Sequence, residues 1–337
     1  MIASCALVCA CSVGEAAPGT EKRFGDVVRI VREVDLQEPR GVINVSLRVT
    51  PDPFGGFLVT DSQEGQIRQY SPNGVLLNHF GRLGPGPGEF RHIAAAARLP
   101  SGNIIAADME GVLTLFNESG SRVLRISRTP LGPLYSLAVL DDEQVVLTGR
   151  IGASVRSPLI HIWDLRAEKL VRSFFRGPTP PPGLEGAYAF AGSADLAVRG
   201  DTVAAVFALT DTIYLFRRDG TQVGEVPWTA RHFRALTQPM PQRWEGPERF
   251  RKWTESFSAA GQLFWKSDGG GFYIAFFDVI GHEPVWRLVQ VDRTGADLLE
   301  IPDAPQLLSI SPRDSSLVFM RPGSDEPNLW SIAFIRR

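Results

Sequence analysis

Residues 55–120 carry one sequence pattern twice, and this repeat limits the folds open to the chain more than any other feature. Each copy has a glycine turn, a short β-branched run that ends in Asp61 or Asp108, a tight loop with glycine, and a strand that ends in an aromatic residue. The copies close at Asn73-Gly74 and Ser119-Gly120, 46 residues apart. That period and those turns predict an array of four-stranded propeller blades.

The rest of the chain continues the pattern with drift. Further sets of strands are predicted at 133–175, 192–228 and 262–301, and the last set, from residue 305, supplies only three. A strand predicted within 25–36 would complete the last set and remove the open edge of a linear array. The fold class is therefore predicted to be all-β, a six-bladed β-propeller of four-stranded blades, with the ring closed by an N-terminal strand that joins the C-terminal blade. Five or seven blades stay open as alternatives, because the turns are spaced more widely after residue 220.

The loop at 81–90, GRLGPGPGEF, resembles the link between blades of NHL-repeat propellers, from which the inserted Pro85 departs. The following stretch, LPSGNIIAADMEGVLTLFNESG, is similar to the body of such a repeat, and the resemblance covers residues 54–122. It implies a bacterial six-bladed propeller of the NHL or TolB-like kind. Such propellers include protein-, RNA- and glycan-associated binding modules, lactonases and amidating lyases, so the resemblance does not select a function.

The N-terminal segment predicts export. Residues 1–13 form an apolar stretch too short to span a bilayer, and they resemble the core of a secretory signal, although no basic residue precedes them. Val8-Cys9-Ala10-Cys11 is similar to a bacterial lipoprotein processing box, which predicts a lipid on Cys11 and a periplasmic or outer-membrane-anchored protein. Residues 1–23 are then leader and tether, and residues 24–337 are the propeller. A cytoplasmic protein with an apolar N-terminus is the alternative.

Propeller geometry predicts where a site would lie. Turns between the second and third strands of a blade, and the links between blades, emerge on one face, and loops on a rigid scaffold are the usual place for binding and catalysis. The residues predicted for this partner-binding face are Asp61, Asp108, His92, Arg150, Asp211, His232, Trp244, Trp253, Asp278 and His282.

Two interpretations of the polar residues on that face remain open. Asp61 and Asp108 either accept backbone N–H groups of their own loops or converge on the channel to hold Ca²⁺. The histidines His92, His232 and His282 are either solvated loop residues or a zinc cluster recruited from different blades. His79 and His161 fall within strand patterns and are predicted to pack. No cofactor is predicted unless one of the metal interpretations holds.

The segment at 229–258 is a long insertion that the pattern of four-stranded blades does not require. Pro247 followed by Glu248 signals the start of a helix, which would place Phe250, Trp253 and Phe257 on one face. The helix either packs those aromatic residues on the rim of the disc or forms a lid or docking surface, with Trp244 the most exposed.

Several functional classes are disfavoured. The formal net charge is −2, and basic residues are scattered among acidic ones, so nucleic acid is not an expected partner. No Gly-x-Ser-x-Gly elbow occurs, and the glycine-rich loop at 84–88 lacks the Lys-Ser/Thr of a phosphate loop.

Two functional hypotheses follow. The first is a monomeric, non-catalytic binding module that engages a protein, peptide or glycan and meets the membrane only through its lipid anchor. The alternative is a metal-assisted hydrolase or lyase with a divalent ion in the channel, where a loop histidine or aspartate would act as the general base.

Overall fold

The structure is a computed structural model that describes residues 20–37, 47–152, 157–242, 245–324, 326 and 328–336. The N-terminal part comprises strand β1 (Thr20–Glu21), helix α1 (Phe24–Val27) and strand β2 (Val28–Asp35). The first three blades then follow in chain order. Their strands are β3 (Leu47–Pro51), β4 (Phe57–Asp61), β5 (Gln66–Tyr70), β6 (Leu76–Phe80), β7 (Ile93–Arg98), β8 (Ile104–Asp108), β9 (Val112–Phe116), β10 (Val123–Arg128), β11 (Ser136–Val139), β12 (Gln144–Thr148), β13 (Ile160–Asp164) and β14 (Lys169–Phe174).

Helices enter the second half of the chain as insertions between blades. Their elements and the remaining strands are α2 (Glu185–Ala191), β15 (Ala194–Arg199), β16 (Thr202–Phe207), β17 (Thr212–Arg217), β18 (Gln222–Pro227), α3 (Pro247–Thr254), β19 (Ser258–Trp265), β20 (Gly271–Ile280), β21 (Glu283–Asp292), β22 (Leu298–Ile301), β23 (Leu307–Ile310), β24 (Leu317–Met320) and β25 (Leu329–Ile335). Among the described residues, none of the helices has the length and apolar character needed to cross a membrane.

Six antiparallel sheets form the blades of a six-bladed β-propeller, as predicted. Five sheets are built from four strands each, and the one that holds β19 to β22 gains β1 as a fifth. The ring closes as expected, because β2 pairs with β25 from Val28 opposite Ile335 to Asp35 opposite Leu329. In the segment predicted as a tether, Thr20 and Glu21 pair in parallel with β22.

The core lies between blades. Six clusters of buried apolar side chains each join strands of two neighbouring blades. A blade is therefore covered on both faces, which is why β4 is buried at every position, although a half-exposed strand would alternate. Tyr70 and Phe116, the aromatic residues that end the third strand of each sequence repeat, are both fully packed in these clusters.

The innermost strands of the blades are β3, β7, β11, β15, β19 and β23, and they surround a central channel. The channel contains a cavity of about 380 Å³. Arg48 on β3 forms an ion pair with Asp195 on β15, from blades on opposite sides of the ring. This ion pair spans the channel near the end where the links between blades emerge.

Candidate functional site

One face of the disc carries the turns between second and third strands together with the links between blades. In every blade these segments lie at the same end of the strands, because the four strands alternate in direction. The predicted site residues that the structure describes therefore share a face, and α2 and α3 also lie on it. We call it the loop-rich face. Trp244 and Cys11 lie outside the described residues.

Asp61 and Asp108 are buried and serve their own loops. The Asp61 carboxylate accepts the backbone N–H groups of Gln63 and Glu64, at 3.0 and 3.1 Å, and pairs with Arg68 at 3.1 Å. Asp108 accepts three backbone N–H groups, from Arg91, His92 and Glu110, at 2.7–3.1 Å. These contacts agree with the loop-supporting interpretation, because each carboxylate uses its oxygens on internal donors.

The three candidate histidines lie in different surroundings. His92 is exposed, His232 places Nδ1 2.9 Å from Glu300, and exposed His282 follows Gly281 at the tip of the β20–β21 hairpin. Gly281 and His282 both have positive φ, as a two-residue hairpin turn of type I′ requires. Within the described part of the chain, no three His, Cys, Asp or Glu side chains lie close enough to share a metal ion.

Asp278 is an internal carboxylate near the tip of the same hairpin. It accepts hydrogen bonds from the Ser258 hydroxyl at 2.6 Å, from Arg234 at 2.9 Å and from Arg287 at 2.7 Å. Burial raises the pKa of Asp278, but these three donors outweigh burial and hold the pKa below its ordinary value. Asp278 therefore stays ionised and acts as an anchor for the loop that carries Arg234.

Two further predicted residues have local partners. Arg150 is buried and its guanidinium donates to the carbonyl oxygen of Ser157 at 3.2 Å. Asp211 accepts the hydroxyl of Thr229 at 3.0 Å, at the start of the insertion. Both side chains therefore hold loops of the face in place.

The predicted helix in the insertion is confirmed as α3, which starts at Pro247. The helix ends at Thr254, so only Phe250 and Trp253 lie on it and Phe257 follows it, contrary to the prediction of one helical face. The three rings still pack together, with Trp253 5.5 Å from Phe250 and 5.0 Å from Phe257 between ring centroids. Trp253 and Phe257 are buried, and Phe250 is partly exposed. Helix α2 is not anticipated by the sequence analysis. Its exposed Phe190 stacks on Phe250 at 5.6 Å and on Trp253 at 6.1 Å between ring centroids.

These helices enclose a cavity against the β20–β21 hairpin, which we call the face pocket. Its volume is about 460 Å³. Its walls are mainly apolar, from Phe190, Trp253, Phe257, Phe277, Val279 and Trp286. At its edge lie the exposed side chains of Phe190 and of Phe250, which packs on Phe190. Ile280 and Val285, near the tip of the hairpin, are also exposed but alternate with Val279 and Trp286 and therefore lie on the other face of the hairpin. Glu255 links this tip to α3, since its carboxylate accepts the N–H of Gly281 at 3.1 Å.

The floor of the face pocket is polar. Arg48 and Gln262 line both the face pocket and the channel cavity beneath it. Arg48 pairs with Asp195, which is 9% exposed and also accepts the Ser136 hydroxyl at 2.8 Å and the backbone N–H of Leu263 at 2.9 Å. Arg48 and Gln262 thus lie between the two cavities, and Asp195 lies on the channel side.

Sequence reasoning did not find Arg48, Asp195 or Gln262, which lie in ordinary strand patterns. The one available signal was a charge at the start of an otherwise apolar strand, in LRVTP and ADLAVR. Such a charge commonly faces solvent, so only the ring geometry places Arg48 opposite Asp195.

Two of the solved structures with a similar fold are from Bacteroides. One is a Bacteroides fragilis protein titled "Putative exported protein", with a TM-score of 0.63 and 12% identity over 95% of this chain and 98% of that one. The other is a member of the DUF4221 family from Bacteroides vulgatus, with a TM-score of 0.65 and 13% identity over 92% of this chain and 99% of that one. Likeness at such identity concerns the fold alone. No family model matches the chain and no curated relative is found, so the NHL or TolB-like resemblance stays a prediction.

Proposed function

We propose that this chain is an exported, non-catalytic, NHL-like binding module that holds a polypeptide partner on its loop-rich face. The observation that carries the proposal is the face pocket, an apolar cavity with an exposed apolar rim. Exposed apolar groups gathered around a concavity are typical of protein-interaction sites. Phe190 is 59% exposed although it is a large aromatic residue, which is costly unless a partner covers it.

The polar groups of the same face support binding over catalysis. Asp61, Asp108 and Asp278 are engaged by internal donors, so a reaction that recruits one of them as a base would have to break the contacts that hold its loop. The metal-assisted alternative takes its ligands from Asp61, Asp108, His92, His232 and His282, so at Asp61 and Asp108 it competes with these loop contacts. A rigid face with preformed loops suits recognition, because little ordering is left to occur on binding.

A polypeptide suits the face pocket better than a glycan. Glycans need many hydrogen bonds, whereas the walls here are aromatic and aliphatic, with polar side chains confined mainly to the floor. Export is supported by the apolar N-terminal stretch and by the likeness to the Bacteroides fragilis protein. Lipidation of Cys11 would tether the module to a bacterial membrane.

The test is selection of ligands with matched surface variants. A displayed random-peptide library and a glycan array are probed with the full chain and with Phe190→Ser. Phe54→Ser is the control, because Phe54 is 57% exposed and lies in the β3–β4 turn on the opposite face. We expect enriched peptides whose binding falls at least tenfold with Phe190→Ser and is unchanged with Phe54→Ser.

Three outcomes would overturn the proposal. Peptide binding that survives Phe190→Ser would place the site elsewhere. Glycan binding that depends on Phe190 would change the class of partner. Absence of both peptide and glycan ligands would refute the assignment as a binding module.

A further inference from the structure

We propose that the face pocket receives a tyrosine side chain of the partner polypeptide, whose hydroxyl group reaches Gln262 and Arg48 at the floor. This inference rests on the proposed function and specifies which side chain is recognised. Three observations carry it: an unpaired acceptor at the floor, a guanidinium beside it, and apolar walls above both.

The unpaired acceptor is Oε1 of Gln262. Gln262 is only 8% exposed, and its buried Oε1 accepts no hydrogen bond from the described residues. Buried polar atoms in native proteins nearly always have partners, so an orphaned acceptor on a side chain that lines a cavity indicates a donor supplied from outside. The backbone of β19 sets the direction of the Gln262 side chain, because a bulge between Ala260 and Gln262 shifts the register of β19 against β20.

The bulge also shapes the wall of the pocket. Gly261 lies at the bulge, and a Cβ atom there would meet the ring of Trp286 at 3.0 Å. Glycine thus lets Trp286 lie close to the strand, next to Phe277, whose ring centroid is 4.9 Å away. The wall and the orphaned acceptor arise from the same local irregularity of β19.

Arg48 supplies the donors at the floor. Its guanidinium donates to the carbonyl oxygen of Tyr135 at 2.8 Å and pairs with Asp195. These two contacts use two of the five N–H groups of the guanidinium. The floor therefore combines an acceptor on Gln262 with a donor group on Arg48 whose charge Asp195 compensates.

A phenol matches this combination better than a carboxylate, an ammonium group or an indole. Its hydroxyl can donate to Gln262 and accept from Arg48, while its ring packs on Trp253 and Trp286. A carboxylate carries no proton for Gln262, and an ammonium group would lie against the charge of Arg48. The indole of tryptophan donates but does not accept. The apolar rim at Phe190 and Phe250 would contact the residues that flank the tyrosine, which favours a peptide over a free phenol.

The test measures the hydroxyl group directly. N-acetyl-L-tyrosine amide, N-acetyl-L-phenylalanine amide and N-acetyl-L-tryptophan amide are titrated into the full chain by ligand-observed NMR. We expect the tyrosine probe to bind about tenfold more tightly than the phenylalanine probe, as one hydrogen bond in a buried site provides.

Variants locate the contact. Gln262→Met removes the acceptor at similar volume and should abolish the preference for tyrosine while leaving the phenylalanine probe unchanged. Gln222→Met is the matched control on an exposed strand and should alter neither probe. Thr254→Trp, at the end of α3, fills the face pocket and should abolish binding of both, which keeps the test informative if Gln262→Met fails to fold.

The outcomes separate this inference from the proposed function. Equal affinity for the tyrosine and phenylalanine probes, or a tyrosine preference that survives Gln262→Met, overturns the tyrosine assignment, while Phe190-dependent peptide binding would still stand. Tighter binding of the tryptophan probe than of the tyrosine probe also overturns the tyrosine assignment, because the floor of the pocket would then recognise a hydrogen-bond donor without an acceptor. Loss of all probe binding together with loss of peptide binding overturns both.

Discussion

Replacement of Asp195 by Asn should lower the free energy of unfolding by about 3 kcal/mol, because it breaks the ion pair that spans the channel. The carboxylate accepts from Arg48, from the Ser136 hydroxyl and from the Leu263 N–H. Asn keeps one acceptor oxygen but loses the charge. Loss of one partner from a fully buried pair costs 3–5 kcal/mol, and the Arg48 side chain is 23% exposed, so hydration reduces the penalty to about the lower limit.

Urea titration followed by circular dichroism measures this change, and thermal unfolding gives an independent estimate. At about 2 °C per kcal/mol, the value for larger domains, the melting temperature should fall by roughly 6 °C. Arg48→Met should cost at least as much, about 3–4 kcal/mol, since it leaves the Asp195 carboxylate, whose side chain is only 10% exposed, without its countercharge. The double variant should be more stable than the sum of the single effects predicts, by about 1–2 kcal/mol.

An exposed ion pair provides the control. Glu143 lies 3.7 Å from Arg166, and both side chains are largely in solvent, so Glu143→Gln should change the free energy of unfolding by less than about 0.5 kcal/mol. If Asp195→Asn is as mild as Glu143→Gln, or if the Arg48 and Asp195 effects simply add, the reasoning about the channel is refuted.

Two further predictions concern single positions. His161 is fully buried between Ser173 and the carbonyl of Gly149, and burial lowers its pKa although the backbone hydrogen bonds oppose it. The unfolded chain therefore takes up a proton that the folded chain resists, so the stability present above pH 6.5 falls as pH drops below that value. The loss of stability should reach up to about 1.4 kcal/mol by pH 5.5. In matched urea titrations, the His161→Gln variant should not show this loss. Parallel pH profiles of stability for the two proteins would contradict the prediction. Gly111→Ala should lower the free energy of unfolding by about 2–3 kcal/mol, because φ is +86° and a Cβ atom would lie 2.2 Å from a backbone carbonyl oxygen. Gly183→Ala is the control and should cost only about 1 kcal/mol in the same titration, because φ is +84° but no atom lies within 4 Å of the added Cβ. Equal effects of the two substitutions would show that crowding is unimportant.

The propeller itself was open to prediction because its determinants are local. A blade needs short strands and tight turns at a regular period, and Asn73-Gly74 and Ser119-Gly120 encode such turns directly. The closing strand β2 was predictable by elimination, since the last blade lacked one strand. The start of α3 followed from Pro247 for the same local reason.

Helix α2 escaped prediction because its stability is tertiary. It has seven residues, with no side-chain cap, and it follows a run of prolines and glycine. Helices of this length are unstable alone, so α2 depends on the packing of Tyr188 on Phe207 and of Phe190 on α3. No periodic pattern of that length marks it in the sequence.

The sequence by itself determined the period and the turns, and therefore a propeller of four-stranded blades, because each of these depends on residues close together in the chain. Six blades was the favoured prediction, and the structure decided it over five and seven. Only the tertiary structure decided the candidate site. Arg48 and Asp195 are 147 residues apart and meet because a six-membered ring sets their blades opposite each other. Gln262 enters the same floor because a bulge re-aims it, and the walls come from insertions between blades. Local sequence preferences determine the strands and turns of the scaffold, whereas closure of the ring determines which distant side chains share a cavity.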